Sequence, residues 1–434
     1  MFAIGIDVGT TTICGIRLNL ETGAVEQTET RDNSSFMPSQ YSWERLQDPR
    51  IILQTAGQIL LSLIRPGTAA IGITGQMHGI LYINPQGEAA SPLYTWQDGR
   101  GNLPYQGSTY AAVLHAATGF GNVTDFVLSE THALPDNGAV FCSIGDFLAM
   151  HLAGRTVPLT HISHAASFGL FDLKQNRFAT ANPRHPELTD QPSVLGFWNG
   201  IPVCAALGDN QASFLGAVAD PDGALINIGT GSQISFLSDS VDCPDTMEAR
   251  PYTEGKLLWS GSALCGGRSY ALLKSFFEQC IRMAGLEPPA LYPVMERRLK
   301  ELPLKRTLHF RNQFCGTRRE PALRGSIENL SPETFTPESF LTGILYGITD
   351  ELYELCGGLP ASCRSLVASG NGIRMNPALQ TITAQVFGIT PIFPSHREEA
   401  AYGAALFASV GSGCFETLEQ AQSLIQYDRK DEGA

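Results

Sequence analysis

The run Asp7-Val8-Gly9-Thr10-Thr11-Thr12 places a carboxylate two residues before a glycine and three threonines, at the end of the apolar stretch Phe2–Val8. Small residues in such a turn let successive backbone N–H groups point into one concave nest that accepts anionic oxygens, and threonine hydroxyls add donors. Asp7, at the strand end, is placed to hold a hydrated Mg2+. The pattern returns as Asn227-Ile228-Gly229-Thr230-Gly231-Ser232, which is 220 residues further on (from 7 to 227), about half of the 434-residue chain. A single Gly-Thr turn is ordinary hairpin structure. Two at half-chain spacing, the first with its acid, point to phosphate. The sequence has neither the P-loop pattern Gly-x-x-x-x-Gly-Lys-[Ser/Thr] nor the dinucleotide fingerprint Gly-x-Gly-x-x-Gly.

Four more segments could carry chemistry. Ser369-Gly370-Asn371-Gly372 follows a short apolar strand, and its glycines would let a flat ring lie on backbone, although an ordinary strand–helix turn reads the same way. In Gly208-Asp209-Asn210-Gln211, an acid opens an apolar helix just before the second phosphate turn. Asp209 is a candidate catalytic base facing a phosphate, or else simply the helix N-cap. Gly75-Gln76-Met77-His78-Gly79 and Thr95-Trp96-Gln97-Asp98-Gly99-Arg100 gather amide, imidazole, indole, carboxylate and guanidinium groups in short loops. Such loops suit a polyol, with hydrogen bonds for its hydroxyls and an aromatic wall for its carbons. His161 and His164 have no Cys, Asp or Glu beside them and are not read as a metal pair. Arg297, Arg298, Lys300, Lys305 and Arg306 read as a solvated face.

These loops need rigid elements behind them. The spacing predicts helices over 46–64, 146–152, 209–218, 269–284, 337–355 and 377–386, strands at 69–74 and 366–368, and a buried Ala/Gly-rich helix over 398–410. The stretches 183–200 and 317–336 read as loop-rich, and 428–434 as a charged, frayed tail. Hydrophobic residues make up 43% and charged ones only 16%, which excludes a disordered or coiled-coil chain. The 44 glycines exceed the average share of about 7% and fit loops where backbone approaches a ligand. Lys+Arg 29 against Asp+Glu 42 leaves −13, so bulk attraction to nucleic acid or an acidic membrane is not expected, and a phosphate must be held locally. The ten scattered cysteines, with no Cys-x-x-Cys, read as reduced thiols. With no basic segment before Asp7 and no apolar run of 18 residues, the expectation is a soluble cytoplasmic protein without a membrane span.

In this order the motifs resemble those of the FGGY carbohydrate kinases, of the actin/hexokinase superfamily, from Ile4 to about Ala408. Asp7 to Thr12 resembles the first phosphate motif, Gly75 to Gly79 the sugar loop, Trp96 to Arg100 the Trp-x-Asp-x-Arg sugar segment, and Gly208-Asp209-Asn210 the general-base segment. Ile228 to Ser232 resembles the second phosphate motif, Ser369 to Gly372 the adenosine loop, and Glu398 to Ala405 the closing helix. The resemblance implies an α/β fold of two related domains of the actin/hexokinase (ribonuclease H-like) type, with mixed sheets and an interdomain cleft: 1–216 for sugar and the first phosphate motif, 217–434 for nucleotide. It implies transfer from ATP with Mg2+ to the terminal primary hydroxyl of a ketose. Asp209 is then the base, Asp7 orients the metal, and Gln76, Met77, His78, Trp96, Asp98, Asn210 and Gln211 contact the sugar. Gly9, Thr10, Thr11, Thr12, Gly229, Thr230, Gly231 and Ser232 hold phosphates, and Gly370, Asn371 and Gly372 the adenosine. The segments 95–100, 117–121 and 206–212 resemble sedoheptulokinases, whereas Asn210 and 229–232 sit closer to xylulokinases. The implied partners are a ketose and ATP, with a homodimer left open. An ATP-binding switch of the actin or chaperone type shares the nucleotide core, but lacks both sugar loops.

Overall fold

The computed structural model describes residues 1–118, 122–135 and 138–428. Residues 119–121, within the stretch compared above with sedoheptulokinases, and the tail 429–434 lie outside the described residues. The chain packs as two compact units. One comprises Met1–Ala219, Arg250–Leu257 and Glu398–Gln426; the other comprises Asp220–Ala249, Leu258–Arg397 and the described residues from Tyr427 onward.

In the first unit, β1 (Phe2–Val8), β2 (Thr12–Asn19), β3 (Val25–Asp32), β4 (Thr68–Gly75), β5 (Val194–Trp198) and β6 (Ile201–Cys204) form a sheet in the order β5-β6-β4-β1-β2-β3. The two-residue strand β7 (Leu207–Gly208) pairs beside the end of β4. β1 is antiparallel to β2 and parallel to β4, so the sheet is mixed. The crossover from β3 to β4 uses the helix Pro49–Leu63. Asp48 caps it by accepting from the Arg50 N–H, with proline at its first position. Its buried face, Ile52, Ala56, Ile59, Leu60 and Leu63, has the spacing of an amphipathic helix.

A second sheet, which lies in the second unit apart from Arg250, Pro251 and Leu257, repeats this plan. β8 (Ala224–Ile228), β9 (Ser232–Ser238), β10 (Glu248–Pro251), β11 (Leu257–Ala263), β12 (Leu366–Ser369) and β13 (Pro391–Ile392) lie in the order β10-β11-β9-β8-β12-β13. β8 is antiparallel to β9 and parallel to β12, as β1 is to β2 and β4. The offset read in the sequence is therefore a repeat of topology, and each Gly/Thr turn joins the first two strands of its sheet.

The helix Glu399–Gly411 is buried from Ala401 to Ser409. It packs backbone against backbone: a Cβ on Gly5 or Gly72 would lie 1.8 Å from the carbonyl oxygen of Ala401 or Ala404, and one on Gly403 would lie 1.9 Å from that of Ala212. Only glycine permits such approaches. This helix belongs to the first compact unit, together with Arg250–Leu257, so the units differ from contiguous halves divided at residue 216. Two helices that the periodicity does not flag, Tyr110–Thr118 and Val123–Glu130, also fall in the first unit. Strand β5 occupies most of the end of the stretch 183–200, which reads as loop. All ten cysteines are free thiols. Among the described residues no helix is long and apolar enough to cross a membrane.

Candidate active site

The first Gly/Thr turn is aimed by what holds its carbonyls. Val8 O accepts from the Gln76 N–H (3.0 Å), Gly9 O from Asn33 Nδ2 (2.9 Å), Thr10 O from Gln47 Nε2 (2.9 Å) and Thr11 O from the Asn33 N–H (2.8 Å). In a trans peptide each N–H points opposite to the preceding C=O, so the held carbonyls direct the N–H of Gly9 away from Gln76, those of Thr10 and Thr12 away from Asn33, and that of Thr11 away from Gln47. That is the donor array a phosphate needs. Asn33 and Gln47 are themselves buried.

Both polar loops of the first unit meet this turn. Gln76, buried, accepts at Oε1 from Thr10 Oγ1 (3.4 Å), and the Trp96 indole N–H donates to the same Thr10 hydroxyl (3.0 Å). His78 adopts φ 66°, the left-handed region that non-glycine residues rarely enter, and its N–H is anchored on Ser167 Oγ (3.1 Å). Met77 is buried with its sulfur 3.9 Å from Asn210 Nδ2. Asp98 is committed inside its own loop. It accepts from Arg100 Nε (2.6 Å), Arg100 Nη2 (3.1 Å), the Arg100 N–H (3.1 Å) and the Arg45 N–H (3.1 Å). With Arg100 lying 4.2 Å from the Tyr94 ring, Asp98 shapes the segment that carries Trp96.

Asp209 is the first residue of the helix Asp209–Ala217; the N-cap is Gly208, with no side-chain cap. The carboxylate is therefore not spent as a cap. It accepts from Asn210 Nδ2 (2.7 Å), and the preceding Gly208 N–H is fixed on Ser163 Oγ (2.9 Å). Burial raises its pKa above the ordinary value, opposed by the Asn210 amide and the positive charge of Arg250. Asp7 is pushed up to about 7 by burial, then by the negative charges of Asp209 and Glu398. Asn210 Oδ1 is buried with no hydrogen-bond partner. Gln211 donates from Nε2 to Pro251 O (2.8 Å), pinning the segment that carries Arg250, while its Oε1, next to Gly208, is likewise buried without a partner.

In the second unit, the turn between β8 and β9 is pinned by a helix start. The Gly267 N–H donates to Gly229 O (2.9 Å) and the Arg268 N–H to Thr230 O (3.0 Å), which satisfies two orphan donors of the helix Gly266–Met283. The Gly229 N–H is used within the turn, on Gly231 O (3.0 Å). The Ser232 hydroxyl is buried without a partner. Gly370 and Gly372 pack on the end of β8: a Cβ on either would lie 2.6 Å from Ile228 O, and Asn227 Nδ2 donates to Ser369 Oγ (2.8 Å). Asn371 and Gly372 lie in a short helix, Asn371–Arg374, rather than in open loop.

The structure thus gathers Asp7, Thr10, Gln76, Met77, Trp96, Asp209 and Asn210 in the first unit, and brings the end of β8, where the second Gly/Thr turn begins, against 369–372 in the other. The Asp98 carboxylate is engaged within its own loop by Arg100 and Arg45, and the Gln211 amide is held at its nitrogen by Pro251 O with its oxygen unpartnered. Sequence reasoning did not single out Asn33, Gln47, Ser163 or Arg250. Each works through a long-range contact that leaves no local pattern, although Gln47 stands just before the legible Asp48-Pro49 helix start. Among the described residues no group of three or more His, Cys, Asp and Glu side chains is placed to hold a metal. The Asp7 carboxylate offers hard oxygen donors of the type Mg2+ takes. The orphaned Ser232 hydroxyl and the glycines on β8 fit a bound phosphate and base.

Residues 2–106 match the N-terminal domain model of the FGGY family of carbohydrate kinases, and residues 224–412 match the C-terminal domain model. The chain is 27% identical to the human sedoheptulokinase over 414 residues, covering 83% of this chain and 86% of that one. It superposes on the xylulose kinase of Rhodospirillum rubrum with a TM-score of 0.82 at 19% identity, covering 99% and 93% of the two chains. On the glycerol kinase of Plasmodium falciparum with ADP, the TM-score is 0.74 at 15% identity, with coverage of 99% and 93%. With both domain models matched in order over most of its length, this chain is a phosphotransferase of the FGGY family of carbohydrate kinases.

Proposed function

We propose that this kinase moves the γ-phosphoryl group of ATP to the terminal primary hydroxyl of a ketose, converting sedoheptulose to sedoheptulose 7-phosphate. The observation that carries the reading is the grouping of Asp209, Asn210 and Met77: a half-buried carboxylate at a helix start beside an unpartnered amide oxygen and a sugar-loop side chain. Asp209 accepts the hydroxyl proton as the oxygen attacks. Asn210 Oδ1 accepts from a neighbouring hydroxyl, and Gln76 and His78 read others, with Trp96 as the apolar wall. Asp98 acts by holding the Trp96 segment. Gly9, Thr10, Thr11 and Thr12, with Thr230, Gly231 and Ser232, supply phosphate donors, and Gly370, Asn371 and Gly372 support the adenosine. Mg2+, oriented through water by Asp7, neutralises phosphate charge when bound. Phosphoryl transfer depends mostly on positioning and charge neutralisation, which is what these residues provide.

Sedoheptulose is preferred because 95–100 and 206–212 resemble that group and the human sedoheptulokinase aligns over most of this chain. Asn210 and the 229–232 turn favour a second reading, a xylulokinase. Ranking kcat/KM across heptuloses, hexuloses, pentuloses and glycerol tests the choice. Sedoheptulose should exceed D-xylulose by at least tenfold, and the reverse order would replace the first reading by the second. The nucleotide half has its own test. Gly370 has φ 86° as well as the 2.6 Å approach to Ile228 O, so Gly370→Ala is expected to raise the Kd for ADP at least tenfold by calorimetry. Gly388→Ala, at φ 70° with nothing within 4 Å, should leave ADP affinity unchanged. Equal ADP binding by the wild type and the Gly370 variant would remove 370–372 from the adenosine site.

A further inference from the structure

Gln47 lies at the centre of a closed ring of hydrogen bonds. Its Nε2 donates to Thr10 O (2.9 Å), while its Oε1 accepts from Gln76 Nε2 (2.9 Å). Gln76 Oε1 accepts from Thr10 Oγ1 (3.4 Å), and Thr10 Oγ1 accepts from Trp96 Nε1 (3.0 Å). The Thr10 hydroxyl donates to Gln76 and accepts from Trp96; turning over Gln47 would face acceptor to acceptor at Thr10 O and donor to donor at Gln76, and turning over Gln76 would face its oxygen to that of Gln47. The ring therefore fixes both glutamines. Gln47 itself is fully buried. Its backbone is clamped by pairing Leu46–Gln47 with Leu93–Tyr94, by a bridge to Phe36 and by the Asp48 N–H on Ser35 O (2.8 Å). Leu93–Tyr94 is also the strand that leads into the Trp96 loop.

We infer that Gln47 is a positioning residue that ties the sugar loops to the first phosphate turn. Contacting neither substrate, it holds the Thr10 carbonyl, and so aims the Thr11 N–H, with the same amide that holds Gln76. A sugar that engages Gln76 and Trp96 then stiffens the turn through two routes that meet at Thr10: Gln76 through Gln47, and the indole N–H directly. A buried amide between two partners in a low-dielectric interior is suited to this, because losing either partner leaves a polar atom unsatisfied. The inference rests on the reading of Gln76 and Trp96 as sugar contacts. It goes further by assigning the coupling to a residue that binds nothing.

The test compares Gln47→Leu, which removes both bonds, with Gln47→Glu, which keeps the acceptor for Gln76 but cannot donate to Thr10 O. Sugar-dependent turnover, sugar-free ATP hydrolysis, melting temperature and the melting shift produced by sugar alone are measured for each. For Gln47→Glu, kcat should fall at least tenfold with sugar KM and the sugar-alone melting shift within twofold of wild type. For Gln47→Leu, kcat should fall and KM rise, with sugar-dependent turnover losing at least tenfold more than sugar-free hydrolysis. Unchanged kcat in both variants overturns the inference. So does a proportional loss of sugar-dependent and sugar-free rates with a lowered melting temperature, which is the mark of a merely structural residue. If the wild type itself gives neither sugar-dependent turnover nor a sugar melting shift with any ketose, the sugar-loop reading falls and this inference falls with it; a wild type that turns over beside an unaffected Gln47→Leu sinks this inference alone.

Discussion

Asp209→Asn is expected to lower sugar-dependent turnover by about 10³-fold, within the range of 10²–10⁴ that general-base removal produces. Asparagine has nearly the shape of aspartate and leaves the Gly208 anchor on Ser163 untouched. It cannot take the hydroxyl proton. The native state should not weaken, and its melting temperature should stay level or rise. The reason is in the sign of the linkage. Burial raises the Asp209 pKa above that of an ordinary aspartate, with the Asn210 amide and Arg250 only partly offsetting it. At neutral pH the ionised carboxylate therefore costs native stability, and that cost fades as pH falls through the folded pKa; removing the charge relieves it. A loss of turnover with gained or equal stability separates a catalytic role from a structural one. In the wild type, the same raised pKa moves the acid limb of kcat/KM above the ordinary carboxylate range, because protonation disables the base. An acid limb at about 4 would contradict that.

Gly403→Ala and Gly5→Ala are expected to abolish soluble folding, or to lower stability by about 3 kcal/mol or more, at the severe end for overpacking. A Cβ at either position would lie within 1.9 Å of a backbone carbonyl oxygen, far inside any tolerable contact. Neither partner is a flexible side chain that could swing away, since Ala401 and Ala212 belong to the mutually packed helices Glu399–Gly411 and Asp209–Ala217. With typical stabilities of about 5–15 kcal/mol, such a loss leaves little of the first unit folded at 37 °C. Gly57→Ala is the control. It lies inside the helix Pro49–Leu63 with nothing within 4 Å, so alanine should be neutral or stabilise by up to about 1 kcal/mol. Thermal melts of the three variants check the pair of expectations. A well-folded Gly403→Ala would mean that the helix is not packed backbone to backbone.

The repeat was legible because it lies in local chemistry: Asp7 to Thr12 and Asn227 to Ser232 share residue types, and each joins two strands of the same pairing. The helix over 398–410 was legible from its alanines and glycines, although its place in the first unit was not, because sequence order does not say which unit a returning segment joins. Strands β5 and β6 were hidden by Pro192, Gly196, Gly200 and Pro202, which break the alternation that marks a strand. Within the site, residue types could be read and directions could not. Nothing local tells that the Asn210 amide nitrogen lies on Asp209 and that of Gln211 on Pro251 O, or that both amide oxygens are buried without a partner. Nor does the string around Trp96 reveal that Asp98 is occupied by Arg45 and Arg100. Asn33 and Gln47, which hold the carbonyls of the first Gly/Thr turn, are polar residues buried by contacts 24 and 37 positions away in sequence. Such partners follow from the fold and not from a motif.

The central claim is transfer to a sugar rather than to water, and one measurement addresses it directly. Wild-type protein is incubated with Mg-ATP and sedoheptulose, and the phosphorus products are counted by NMR. One sugar phosphate esterified at the terminal primary carbon should form for each ADP, with inorganic phosphate at background. ADP formed with equimolar inorganic phosphate, at the same rate with or without any ketose, would contradict the account.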